Sequence, residues 1–138
     1  MSAWPAGVGI VGTGAMGRAL AAGLARGAAE GAGPLLLADA APQALEAAVA
    51  ESGGRPASVA EAARADLVCL AVKPGDGEAA LAEVAPELRP GAVVLSVMAG
   101  WTLDRLAAAA PGAAVVRTMP NLAVRHGAGI VAMAARGL

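Results

Sequence analysis

Short runs of Val, Leu and Ile alternate along the chain with alanine-rich stretches of helical length. GVGIVG (7–12) reads as a strand and AMGRALAAGLARG (15–27) as a helix, with Leu20 and Leu24 one turn apart and Gly27 as its stop. PLLLAD (34–39) is a second strand and PQALEAAVAES (42–52) a second helix, opened by proline. RPAS is a short third strand followed by helical VAEAARA. DLVCLAV (66–72) is the next strand, with a helix from about Glu78 to Glu87. AVVLSVMAG (92–100), a helix over LDRLAAAA (103–110), AAVVRTM (113–119) and GAGIVAM (127–133) complete the pattern. The strands are apolar throughout instead of alternating, as expected where helices cover both faces of a parallel sheet. Alternating strand and helix therefore predicts an α/β domain with a doubly wound, mostly parallel sheet flanked by helices.

The first strand and first helix are joined by Gly12-x-Gly14-x-x-Gly17. In such a turn the first glycine permits the tight bend and the second lets backbone approach a pyrophosphate. The third lets the helix pack closely on the strand, and the free N–H groups of the helix face the anion. Gly12, Thr13, Gly14, Ala15, Met16 and Gly17 are thus candidate cofactor-binding residues of a Rossmann-like fold. Asp39 ends the second strand roughly 20 residues further on, where an acidic side chain reaches the adenine ribose hydroxyls. A tight turn beside a solvated aspartate is the competing reading. Because a carboxylate accepts from a 2′-hydroxyl and repels a 2′-phosphate, and no arginine stands beside it in DAAPQ, Asp39 favours NADH over NADPH.

Lys73 is the only lysine, between an apolar run and Pro74. Proline holds the preceding residue extended and has no N–H, so the chain must leave the sheet there. In the strand order 3-2-1-4-5-6 the fourth strand lies beside the first. Ala71, Val72, Lys73 and Pro74 would then face the glycine turn, with backbone contacts a safer expectation than the ammonium group; a solvated strand-end lysine is the alternative.

Composition narrows the class. At 138 residues the chain is the size of one domain, and its 57% hydrophobic content is inflated by alanine. Phe and Tyr are absent, the net charge is −1 and the arginines are scattered, which leaves no footprint for nucleic acid. The single cysteine, Cys69, lies in an apolar run and reads as an inert core thiol, with no disulfide or metal framework. The N-terminus has no basic residue before Arg18, and no apolar run is long enough to span a membrane, so a soluble cytoplasmic protein is expected.

GIVGTGAMGRAL, ADLVCLAVKP, VVLSVMAGWTLDRL and VVRTMPNLAVRHGAGIVAM, in that order, resemble the N-terminal domain of the pyrroline-5-carboxylate reductase family over nearly the whole chain. The glycine turn is shared with many dehydrogenases; the lysine-proline strand end and MPN are more specific. The resemblance implies reduction of the C=N bond of pyrroline-5-carboxylate by a nicotinamide cofactor, NADH or NADPH. It implies cofactor contacts from Gly12 to Met16, Ala71 to Pro74 and Ala99-Gly100, with Asn121 near the nicotinamide end. No catalytic residue follows from it; Lys73 and Asn121 are the candidates for positioning substrate or nicotinamide. Such a site needs little machinery, since a protonated imine accepts hydride readily once donor and acceptor are positioned.

The chain departs from the family in Ala15, where asparagine is usual, and in Leu122-Ala123, where Thr-Pro follows MPN. The family's helical second domain, with the dimer interface and much of the substrate pocket, including a Ser-Gly-Ser-Gly-Pro segment, has no counterpart in residues 1–138. This predicts a dinucleotide-binding domain truncated at its C-terminal end, with apolar surface around GIVAM and the last sheet edge inviting association. Two other readings stand beside the reductase: a 3-hydroxyisobutyrate-dehydrogenase or imine-reductase type, against which AVKP and MPN argue, and a non-catalytic dinucleotide-binding module or decayed fragment. His126 reads as a loop histidine without a partner acid. Ser96 has no identifiable base, and Met16, Met98, Met119 and Met133 read as core or pocket wall.

Overall fold

The computed structural model describes residues 6–28, 32–120, 126 and 131–137. Seven strands form one sheet in the order β3-β2-β1-β4-β5-β6-β7. The first six are β1 (Val8–Val11), β2 (Leu35–Ala38), β3 (Arg55–Pro56), β4 (Leu67–Leu70), β5 (Val93–Ser96) and β6 (Ala114–Pro120), all parallel. The helices are α1 (Ala15–Gly27), α2 (Pro42–Ser52), α3 (Val59–Ala63), α4 (Gly77–Val84) and α5 (Leu103–Ala109).

Every second residue of a central strand faces the same way, so each strand supplies both layers of the core. Leu67 and Cys69 of β4 join Val8, Ile10, Leu37, Leu20 and Leu45 on the α1/α2 face. Val68 and Leu70 join Val94, Leu81, Leu106 and Trp101 on the α3/α4/α5 face. This accounts for strands without a polar face. Burial pushes the Cys69 thiol up to about 12, so it packs as a small apolar group.

Local chemistry sets the element ends. Ser58 and Glu61 form a reciprocal capping box that starts the five-residue α3. Pro86 stops α4 earlier than the apolar pattern predicts: the α-helix ends at Val84 and tightens to a 3-10 turn over Ala85–Glu87. Similarly, Ala110 precedes Pro111 and has left the helical region, at φ −126° and ψ 64°, so α5 ends one residue short of the expected 110.

The last strand also differs from expectation. β7 spans Val131–Arg136, later than the predicted 127–133, and runs antiparallel to β6, pairing Val115 with Arg136 and Pro120 with Val131. Arg136 is ion-paired to Asp104 of α5, which ties this edge strand to the helix beside it. Met119 on β6 is a large apolar side chain left exposed, at 50%; Gly129 and Ile130 lie outside the described residues. No described helix is long and apolar enough to cross a membrane.

Candidate functional site

The parallel strands β1, β2 and β4 all end at one edge of the sheet, and their following segments enclose a crevice with two lobes. One, of about 280 Å³, is lined by Gly12, Gly14, Asp39, Ala71, Val72 and Lys73 among others. The second, of about 340 Å³, shares Gly12, Asp39, Val72 and Asp76 with the first and extends under α3 and α4 to Val59, Ala80 and Glu83. The fold thus brings together six of the residues expected at a cofactor site, from three separate stretches of sequence.

The turn into α1 is tightly built. Gly12 has φ +99°, a left-handed conformation natural to glycine, and its N–H donates to the Ala38 carbonyl at 2.8 Å. Gly17 is buried with its Cα against the turn itself: a Cβ there would stand 1.9 Å from the Gly12 carbonyl oxygen. Gly14 is the opposite case, since a Cβ at that position would meet nothing within 4 Å. It is the N-cap of α1 and supplies no side-chain cap, and the first turn holds no acidic residue. The helix therefore opens with uncapped N–H groups beside unfilled space, a cradle suited to an anion. Ala15 is exposed and Met16 half-buried in that first turn.

Thr13 is 2% exposed and turns inward to Asp39. Its N–H and its hydroxyl donate to Asp39 Oδ2 at 2.6 and 2.8 Å, while the Ala41 N–H donates to Oδ1 at 2.8 Å. Partial burial pushes the Asp39 carboxyl up, but the bonds from Ala41, the Thr13 N–H and the Thr13 hydroxyl outweigh it. The net pKa lies below the usual carboxylate value. A carboxyl depressed in the folded state stabilises the fold above its unfolded pKa of about 4, and that stability is lost as pH falls through the lower folded value. In urea titrations, Asp39→Asn is expected to flatten the acid limb: the wild type loses stability below about pH 4 more steeply than the variant. Equal slopes would remove Asp39 from the acid response.

The segment after β4 is held from below. Lys73 is extended, at φ −60° and ψ 144°, and its carbonyl accepts from the Asp76 N–H at 2.8 Å across a 3-10 turn over Pro74–Asp76. The Trp101 indole Nε1–H donates to the Pro74 carbonyl at 3.1 Å. The ring is buried under Gly77, where a Cβ would come within 2.5 Å of it, and the Arg105 guanidinium lies 3.6 Å over its centre. Trp101 carries no motif that marks it as part of a site; only its rarity in a chain with almost no aromatics sets it apart.

Other expected residues stand elsewhere. Ala99 and Gly100 are exposed in the turn after β5 and line neither lobe, Pro74 is exposed, and Asn121 lies outside the described residues. His126 is exposed and lines a separate cleft with Ala22, Ala25, Arg26 and Glu51, at the far end of α1 from the glycine turn. Ser96 is fully buried, and its hydroxyl accepts from the Met98 N–H at 3.1 Å, a structural arrangement. No group of three or more His, Cys, Asp or Glu among the described residues is placed to hold a metal. Sequence reasoning missed Asp76, in the turn that follows Lys73, and Val59, Ala80 and Glu83, which reach the crevice through the packing of α3 and α4.

Comparison with known proteins agrees with this architecture. The pyrroline-5-carboxylate reductase of Escherichia coli is 31% identical over 134 residues, covering 95% of this chain and 50% of that protein. A pyrroline-5-carboxylate reductase structure from Coxiella burnetii superposes with a TM-score of 0.81 at 23% identity, covering 94% of this chain and 49% of the other. The Plasmodium falciparum pyrroline carboxylate reductase with NADP bound gives 0.78 at 24%, covering 94% and 47%. The chain spans about half the length of each of these relatives. A family model described as NADP oxidoreductase coenzyme F420-dependent matches residues 7–100, from the start of β1 to the turn after β5, and the chain belongs to that family.

Proposed function

We propose that these 138 residues are the cofactor-binding half of a cytoplasmic pyrroline-5-carboxylate reductase that uses a nicotinamide dinucleotide. The observation that carries this reading is the two-lobed crevice at the ends of β1, β2 and β4, in a chain matched over 95% of its length by the Escherichia coli enzyme. The uncapped first turn of α1, from Gly14 to Gly17, would receive the pyrophosphate. Asp39 would meet the adenine ribose, and the backbone of Ala71 to Pro74, with Lys73, would close over the dinucleotide. Ala99, Gly100 and Asn121 would lie toward the nicotinamide. When bound, the cofactor supplies the hydride that reduces the C=N bond, while the chain's own contribution is to orient it. A helical domain of the kind the resemblance implies would complete the substrate pocket and the oligomer.

NADH is the favoured nucleotide in this proposal. The second lobe presents three carboxylates, Asp39, Asp76 and Glu83, and none of its described lining residues is basic. A ribose hydroxyl finds acceptors there, whereas an added phosphate dianion meets like charge, with Lys73 lining the first lobe and not the second. The Plasmodium relative has NADP bound, so the support for this preference is this chain's own carboxylates alone. Calorimetric titration with NADH and then NADPH, followed by an assay with pyrroline-5-carboxylate, tests the proposal. Tighter binding of NADH with negligible turnover by the 138-residue chain is expected. Tighter NADPH binding would overturn the preference, and robust turnover would overturn the half-site reading.

A further inference from the structure

We infer that Thr13 is a positioning residue for nucleotide choice, acting through Asp39: its hydroxyl and N–H occupy one carboxylate oxygen, leaving the other as the acceptor offered to the ribose. This rests on the dinucleotide reading of the crevice and adds to it a residue whose side chain lies outside the nucleotide's reach.

A carboxylate oxygen accepts about two hydrogen bonds. Oδ2 of Asp39 already receives two, from the Thr13 N–H at 2.6 Å and the Thr13 hydroxyl at 2.8 Å. Oδ1 receives one, from the Ala41 N–H at 2.8 Å, and keeps one position free. Three donors on two fixed segments, the glycine turn and the start of α2, therefore fix the plane of the carboxylate before any ligand arrives. Thr13 is 2% exposed, so its hydroxyl serves Asp39 and not the solvent. The other charged groups lining the two lobes are Lys73, Asp76 and Glu83, and neither lobe's lining includes an arginine that would take over the Asp39 carboxylate.

Without the hydroxyl, Oδ2 has an open acceptor position and the carboxylate is held by the Thr13 and Ala41 N–H groups alone, so part of the ribose-binding free energy is spent on holding its orientation. The negative charge remains, and its repulsion of a 2′-phosphate with it. The loss falls on NADH.

The test is titration of the wild-type chain and of Thr13→Val, Thr13→Ser and Asp39→Asn with NADH and with NADPH, after melting curves establish folding. Thr13→Val is expected to weaken NADH binding about fivefold, the effect of one hydrogen bond, with NADPH little changed. Thr13→Ser, which keeps the donor, should restore the wild-type ratio. Thr13→Val added to Asp39→Asn should leave that variant's ratio unmoved. Equal losses for both nucleotides, or failure of serine to rescue, overturn the inference while the dinucleotide reading stands. Should Thr13→Val not fold, the ratio for Thr13→Ser still decides, since a shift away from the wild-type value contradicts a role carried by the hydroxyl. A wild-type chain that binds neither nucleotide overturns both.

Discussion

Gly17→Ala is expected to abolish dinucleotide binding and to destabilise the chain by about 3 kcal/mol, the upper end of what overpacking usually costs. The added methyl would sit 1.9 Å from the Gly12 carbonyl oxygen, 2.8 Å from its carbon and 3.2 Å from the Ala71 side chain. Two of these three neighbours are backbone atoms of the turn, so no rotamer change relieves the clash. α1 must lift from β1, and as it does its first-turn N–H groups move and Thr13 is drawn from Asp39. Gly14→Ala is the control. It has φ −68°, which any residue adopts, and open space beyond it. That variant should melt like the wild type and lose affinity only, because its methyl enters the cradle. Melting curves and NADH titrations of both variants measure this; a Gly17→Ala chain of normal stability and affinity would contradict the packing argument.

Trp101→Ala should destabilise the fold by about 3–5 kcal/mol, as expected for loss of a buried aromatic ring. For a domain of this size that corresponds to a melting temperature lower by on the order of 10–20 °C. The indole does three things at once: it fills the space under Gly77, it holds the Pro74 carbonyl at 3.1 Å, and it carries the Arg105 guanidinium at 3.6 Å. Without it the Pro74–Asp76 turn loses its anchor, and Lys73 and Asp76 with it. Trp101→Phe separates packing from hydrogen bonding. It should retain most of the core and cost about 1 kcal/mol for the unpartnered carbonyl. A Trp101→Ala chain that melts with the wild type would show that the turn holds itself.

The two variants also show where the fold was legible in the sequence and where it was not. The alternation of apolar runs and alanine-rich stretches carried the layer architecture, because a strand buried on both faces leaves a distinct pattern. The strand order through β6 followed from the doubly wound rule. The position of β7 did not, since pairing with β6 in antiparallel register depends on a long-range match that local pattern cannot express. The helix ends at Val84 and Ala109 were written in Pro86 and Pro111, yet an apolar period alone runs past them. Of the site, the glycine turn and Asp39 were visible as a spacing. The bonds joining Thr13 to Asp39 span 26 residues, and the one joining Trp101 to Pro74 spans 27. Which donor meets which acceptor over such a separation is decided by tertiary packing. Asn121 remains a proposal drawn from resemblance alone.

The central claim is that the crevice between the glycine turn, Asp39 and the Ala71–Pro74 segment holds a nicotinamide dinucleotide. Backbone amide NMR of the isotope-labelled chain, titrated with NADH, tests it most directly because it reports binding and place together. The account predicts saturable shifts at Gly12 to Gly17, Asp39 to Ala41 and Ala71 to Lys73, with the Ala22, Arg26 and Glu51 end of the α1/α2 pair unmoved. Shifts confined to that far end, or none at all, would contradict it.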